Sequence, residues 1–225
     1  MDTIYQRTET LLGKEKVNSL KEKRVLIFGL GGVGSYALEA LARVGIGNMM
    51  IVDKDVVDIT NINRQIIALH STIGRPKVEV AKERIMDINP KITVTARQEW
   101  VTQENIASFF QEEIHYVIDA IDDVSAKICI IQECNKRGIP CISCMGTGNK
   151  LDPMAFKIAD IFKTNTCPLA KIMRKKLKEI GISKQKVLFS TELPKKSLDT
   201  SVIGSVSFVP SVAGLLIASE VVKEL

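Results

Sequence analysis

Glycines at positions 29, 31, 32 and 34 stand in the stretch Gly29-Leu30-Gly31-Gly32-Val33-Gly34, which fits the pattern G-x-G-x-x-G. Such spacing permits a tight turn and a close approach of backbone to a phosphate. The unpaired N–H groups and positive dipole end of a following helix supply the attraction. The context is right for that chemistry: the apolar run Arg24–Phe28 reads as a buried strand just before the loop, and a helical pattern begins just after it. Asp53 ends the next strand-like run, roughly 20 residues beyond the glycines, where a carboxylate accepts hydrogen bonds from ribose hydroxyls. Gly29, Gly31, Gly32, Gly34 and Asp53 therefore predict a nucleotide site. The fingerprint alone does not separate NAD, FAD, S-adenosylmethionine and ATP.

The residues beyond Asp53 favour ATP. They read Asp53-Lys54-Asp55-Val56-Val57-Asp58-Ile59-Thr60-Asn61-Ile62-Asn63-Arg64-Gln65, followed by Gly74-Arg75-Pro76-Lys77 at a helix start. A nicotinamide-dependent enzyme has no use for this polar cluster. Arg64 and Lys77 suit a triphosphate, and they suit still better the charge that builds on an α-phosphate under attack by a carboxylate. Asp122, in Asp119-Ala120-Ile121-Asp122-Asp123, follows a further apolar run. It would stand at the carboxyl edge of the sheet and can hold Mg²⁺ through oxygen. Taken singly, Arg64 and Lys77 read as a loop charge and a helix-surface charge; their order after the fingerprint is what argues for a site.

A second constellation is basic. Lys163, Lys171, Arg174, Lys175, Lys176, Lys178, Lys184 and Lys186 crowd one segment, with Glu179 the acid among them. Ile172, Met173, Leu177 and Ile180 have helical spacing and are expected to pack inward, leaving cations such as Arg174, Lys175 and Lys178 to face out. A row of cations suits nucleic-acid phosphate. A further pair, Lys195 and Lys196, opens a polar stretch over 195–204 that reads as a mobile loop able to close over a bound nucleic acid.

These residues must be positioned by strands and helices, and the patterning supplies them. Two polar helical segments over 3–12 and 15–21 precede the first strand. The helix after the glycine loop stops at Gly45 and Gly47. Strands are expected over 49–53, 92–96, 116–121 and 140–144. Helices are expected over 76–88, over 125–137, and from a Thr102 cap to residue 113. Beyond Gly148 come strands over 156–161 and 187–191 flanking the basic helix over 170–180, a strand over 205–209, and a last helix opened by Pro210. The predicted fold is α/β: a doubly wound Rossmann-type, mostly parallel sheet with a C-terminal extension of strands and a basic helix. The expected organisation is an N-terminal helical segment (1–22), a nucleotide-binding unit (23–150), and an extension (151–225) for substrate binding and dimerisation.

The chain has 225 residues, 45% of them hydrophobic, enough for a full core in one large domain. A net charge of +5 permits a nucleic-acid partner without demanding one. No apolar leader or membrane-length run is present, so the expectation is a cytoplasmic protein with reduced thiols and no membrane partner. Of the five cysteines, Cys129 and Cys134 read as core. Cys141 and Cys144 fall on a predicted strand, where an offset of three sends them to opposite faces. Cys167 sits in a polar loop and is the thiol most open to reaction. His70 and His115 form no readable triad with a serine and a carboxylate.

At the level of whole phrases the sequence resembles the adenylating enzymes related to ThiF, MoeB and HesA, and to ubiquitin-activating enzymes. The matching phrases are GLGGVGS, VDKDVVDITNINRQ, GRPKVEVAKERIMDINP and IDAIDD. Within that group it most resembles the tRNA threonylcarbamoyladenosine dehydratases, through the segment from Arg7 to Gly13, the phrase from Ile66 to Gly74, the segment from Met145 to Pro153, and Pro168 through the basic helix. The resemblance covers nearly the whole chain. It implies that ATP adenylates the threonyl carboxylate of threonylcarbamoyladenosine in tRNA. A nitrogen or oxygen of the same modification then displaces AMP, closing a ring with net loss of water. By motif position the glycines would line the phosphates, Asp53 would bind ribose, Asp55 would belong to the same nucleotide site, and Asn61, Arg64, Gln65 and Lys77 would contact phosphate. Asp122 would hold Mg²⁺. Arg7 matches an arginine that reaches into a partner subunit's site, which implies a homodimer. A sulfur-transfer or redox protein as a further partner stays open. One departure is Cys167, where the family often has Asp. Two other readings remain: an adenylyltransferase for a sulfur-carrier or ubiquitin-like protein, which predicts zinc-binding cysteine pairs, and a NAD-linked oxidoreductase or non-catalytic nucleotide-binding module.

Overall fold

The computed structural model describes residues 4–196 and 202–225. Two helices, α1 (Gln6–Leu12) and α2 (Lys14–Glu22), meet at Gly13 and lead into β1 (Arg24–Phe28). The glycine loop follows, then α3 (Gly34–Val44), β2 (Asn48–Val52), α4 (Lys77–Ile88), β3 (Thr93–Arg97), β4 (Tyr116–Asp119), α5 (Val124–Arg137) and β5 (Cys141–Cys144). Next come β6 (Phe156–Asp160), α6 (Pro168–Glu179), β7 (Lys186–Ser190) and α7 (Phe208–Glu224). The strands form one seven-stranded sheet in the order β3-β2-β1-β4-β5-β7-β6. All pairings are parallel except β6 with β7, which puts one antiparallel strand at the far edge. The predicted fold class holds. The C-terminal extension prolongs the same sheet.

The strands alternate as a sheet covered on both faces requires. Val25 and Ile27 of β1, with Met49 and Ile51 of β2, face a core closed by α3, α4 and α7. Leu26 and Phe28, with Met50 and Val52, face the opposite core under α5 and residues 106–110. A third cluster seals α6 onto β7 through Met173, Leu177, Val187 and Phe189. Cys141 and Cys144 project to opposite faces of β5, as strand alternation required.

Two expectations fail locally. The helix expected from Thr102 to residue 113 is a single tight turn over Ile106–Phe110. The Asn105 side chain accepts the Thr102 N–H at 2.8 Å and donates to the Trp100 carbonyl at 2.7 Å, folding the entry into a turn that a longer helix cannot use. The strand expected over 205–209 does not form. Its backbone is committed to other loops: Gly204 donates to Asn149 Oδ1 at 2.7 Å and the Ser205 carbonyl accepts from Asn63 at 3.1 Å. Helix α7 starts at Phe208, with Pro210 in its first turn, where a missing N–H costs nothing. Half of the loop expected over 195–204 falls on residues 197–201, outside the described residues. Among the described residues, no helix is long and apolar enough to cross a membrane.

Candidate active site: one cavity at the carboxyl ends of the strands

A cavity of about 690 Å³ opens where β1, β2, β4 and β5 end, at the reversal of strand order where doubly wound sheets bind ligands. Its nucleotide half is lined by Gly29, Gly31, Gly32, Asp53, Asp55, Asn61, Arg64, Gln65, Lys77 and Asp122. Residues drawn from three strand-to-helix connections thus meet on one wall. Two expected members are elsewhere. Gly34 does not line the cavity. It is the first residue of α3, and a Cβ there would lie 1.8 Å from the Gly29 carbonyl oxygen, so its task is close helix–strand contact. Arg7 lies exposed on α1 and does not line the cavity either. The preceding Tyr5 is fixed at the other end of the sheet, receiving a hydrogen bond of 2.6 Å from Asn89 just before β3.

The site is held ready by its own hydrogen bonds. Asp53 Oδ2 accepts the Leu30 N–H at 2.6 Å and Oδ1 accepts the Asp55 N–H at 2.8 Å, so one carboxylate fixes both the glycine loop and the chain after β2. Burial pushes the Asp53 carboxyl up, against the pull of Lys77 and the two backbone donors. Asp58 and Asn61 cap one another: Asp58 Oδ1 accepts from Thr60 N–H at 2.8 Å, and Asn61 Oδ1 accepts from Asp58 N–H at 3.1 Å. Arg64 is braced by the Thr60 carbonyl at 2.9 Å and Asn63 Oδ1 at 2.8 Å. Lys77, read from sequence as a surface charge when taken singly, is 5% exposed.

One observation shows room for a phosphate, and another shows an acceptor left for a ligand donor such as a hydroxyl. A Cβ on Gly31 would find only Gln65 Nε2, at 3.9 Å, so the cradle above the loop is open. Gln65 Oε1 is buried without a hydrogen-bond partner; such a group at a cavity wall wants a ligand donor. Asp122 stands exposed on the same wall, while its neighbour Asp123 caps α5 by accepting the Ala126 N–H at 2.7 Å. A single free carboxylate beside a phosphate cradle is the protein's usual share of a Mg²⁺ site.

The other half of the cavity is lined by Cys144 to Lys150, by Cys167, Pro168 and Leu169 at the start of α6, and by Ile203. Sequence reasoning did not place this wall. Cys167 is 2% exposed and precedes the first turn of α6, so it is no open-loop thiol. Lys150, also missed, is buried and donates to the Glu192 carbonyl at 2.8 Å; burial lowers its pKa. Along α6, Met173 and Leu177 pack inward as expected, but Ile172 and Ile180 are exposed. Arg174 is tied to Thr164 through the carbonyl at 3.1 Å and the hydroxyl, whereas Lys175 and Lys178 are exposed. His115 is structural: its Nδ1 accepts the Arg24 N–H at 3.1 Å. Among the described residues no cluster of three or more His, Cys, Asp or Glu is arranged to hold a metal.

A family model described as the ThiF family matches residues 5–225. The chain belongs to the ThiF family. Among ThiF-family relatives, it is 48% identical to the tRNA threonylcarbamoyladenosine dehydratase of Bacillus subtilis, over 98% of this chain and 94% of that protein. It is 41% identical to the enzyme of the same name from Escherichia coli, over 82% of this chain and 72% of the relative. The fold is similar to the crystal structure of E. coli tRNA N6-threonylcarbamoyladenosine dehydratase in complex with ATP. The TM-score is 0.91, with 36% sequence identity over 98% of this chain and 92% of that one.

Proposed function

We propose that this ThiF-family chain is an ATP-dependent tRNA threonylcarbamoyladenosine dehydratase. The observation that carries the reading is one cavity with two unlike walls: a phosphate cradle with Arg64, Lys77 and Asp122 on one side, and a wall beginning at Cys144 and ending on α6 on the other. Such a cavity brings an acceptor against a nucleotide. The carboxylate of the acceptor's threonyl group attacks the α-phosphorus of ATP and pyrophosphate leaves. The ring-closing atom of the same modified base then attacks the acyl carbon, AMP leaves, and the attacking group gives up its proton. The nucleophile belongs to the substrate, so the protein contributes alignment and charge stabilisation.

Asp122 would hold Mg²⁺ on the phosphates, where the ion would neutralise their charge. Arg64 and Lys77 face the same phosphates, and Gln65 Oε1 is the unmet acceptor beside them. Asp53 sits where ribose hydroxyls would lie. The substrate tRNA would run along α6, whose first turn forms part of the cavity wall and whose Lys175 and Lys178 are exposed. A homodimer would give Arg7 a role: it does not line its own cavity, and in a dimer it would reach that of a second copy.

The test is AMP formation from ATP with three acceptors in parallel: tRNA from cells lacking this activity, a purified sulfur-carrier protein, and none. AMP released with the tRNA alone is the expected result. Release with the carrier protein instead would make the chain a carrier adenylyltransferase. Tight NAD binding without ATP binding would make it neither.

A further inference from the structure

Pairing between β4 and β5 ends where Asp119 stands opposite Ser143. Beyond that rung the two chains part. Residues 120–123 turn to the phosphate wall with Asp122, and residues 144–150 form the opposite wall. Lys127 of α5 reaches into this fork. Lys127 and Asp119 are both 0% exposed. The Lys127 ammonium donates to Asp119 Oδ2 at 3.0 Å, to Ser143 Oγ at 3.1 Å and to the Cys144 carbonyl at 2.7 Å, which uses all three of its N–H bonds. The Ser143 hydroxyl donates to Asp119 Oδ2 at 2.5 Å, and Asp119 Oδ1 accepts the Ile121 N–H at 3.2 Å.

An ion pair removed wholly from water is a poor device for stability. Its desolvation offsets its attraction, and apolar side chains of similar volume do as well. The neighbours of Lys127 on α5 would accept them: Ala126, Ile130 and Ile131 all belong to apolar clusters. An apolar pair cannot, however, hold the backbone of two diverging strands at a set separation, because that takes directional bonds. This network holds Ile121 N–H on one branch and the Cys144 carbonyl on the other. Those branches carry the two walls between which the acceptor must meet the nucleotide. Reaction requires the attacking atom at about 3–3.5 Å, and a misplacement of about 1 Å can cost on the order of 100-fold in rate.

We propose that Lys127 is a positioning residue. Through Asp119, Ser143 and the Cys144 carbonyl it sets the distance between the Asp122 loop and the acceptor wall, and so aligns the acceptor carboxylate with the α-phosphate. It does not line the cavity, so it would act on the reactants only through its neighbours. The inference rests on the adenylation reading above.

The decisive variant is Lys127→Met with Asp119→Leu, which removes both charges and leaves no buried ion unpaired. The readouts are the melting temperature, calorimetric binding of ATP with Mg²⁺, and steady-state AMP formation with tRNA. A folded variant is expected to bind ATP within about threefold of the natural Kd, while kcat drops on the order of 100-fold and KM for ATP stays put. A kcat within threefold of the natural chain overturns the proposal, because a purely structural role would leave the folded enzyme's kcat alone. If the double variant does not fold, Asp119→Asn decides instead. Its single acceptor oxygen cannot serve both Lys127 and Ile121, so a clear kcat loss at unchanged ATP affinity is expected, and an unchanged kcat refutes the idea. The natural chain is assayed in parallel. Absence of AMP formation there is a failure of the adenylation reading, whereas failure confined to the variants belongs to Lys127.

Discussion

Lys77 Nζ lies 2.9 Å from Asp55 Oδ2, at the very start of helix α4. A cation there faces the positive end of the helix dipole, and this one is also stripped of water at 5% exposure. Neither condition favours folding, and the proposed role of Lys77 on a ligand phosphate would account for both. Lys77→Ala is expected to keep its melting temperature within a few degrees, since Asp55 is half exposed and can be solvated. AMP formation should fall on the order of 100-fold, the usual loss of one preorganised electrostatic donor. A wild-type rate in the folded variant would remove Lys77 from the site.

Arg7 stands on α1, and the adjoining Tyr5 is anchored to Asn89 before β3, away from the cavity. If it acts in a second copy, Arg7→Ala and Lys77→Ala chains should each be inactive alone and recover part of the activity when mixed, because one hybrid site per dimer is whole. Mixed chains that demonstrably exchange subunits yet stay inactive would count against Arg7 acting in a second copy.

Lys175 and Lys178 are exposed on α6, whereas Arg174 is braced against Thr164. Reversing these two exposed lysines to Glu should weaken tRNA binding at low salt and flatten its dependence on salt, since fewer counterions are released. ATP affinity should not change. Filter binding across a salt titration checks this, and superimposable curves for variant and natural chain would exclude α6 from the tRNA path.

Glu39 joins α3 to α4: its carboxylate accepts from Arg84 Nε at 2.6 Å and from Arg43 Nε at 2.7 Å. Burial pushes its pKa up, but the two guanidiniums overcome this and hold it below the ordinary glutamate value. A depressed carboxylate stabilises the fold above its unfolded pKa and loses that contribution as pH falls through the folded one. Glu39→Gln should therefore cost about 2 kcal/mol at neutral pH, in line with charged hydrogen bonds. The gap to the natural chain should close at pH values below the ordinary glutamate pKa of about 4.3. A gap constant from neutral pH down to pH 3 in denaturant titrations would show that the ion pairs carry no stability.

What the sequence by itself determined is what short-range pattern controls. The apolar runs became strands because residues alternating along 24–28 and 48–52 can bury both faces only between two helical layers. The glycine loop and Asp53 were legible because backbone geometry and one carboxylate at a set spacing are local requirements. The whole-phrase resemblance likewise pointed to the family. Local pattern misled where side chains captured backbone groups, as Asn105 did before Ile106–Phe110 and Asn149 did at Gly204. Only the tertiary structure decided which charges are buried. Lys127 and Lys150 look like any surface lysine in sequence, and Lys77 stood out only through its place after the glycine fingerprint, which says nothing of its burial. Their burial comes from strands distant in sequence closing around them, a long-range property that no local window carries. The second wall of the cavity arose in the same way: Cys144 and Cys167 meet there because β7 inserts beside β5 and draws α6 over the site.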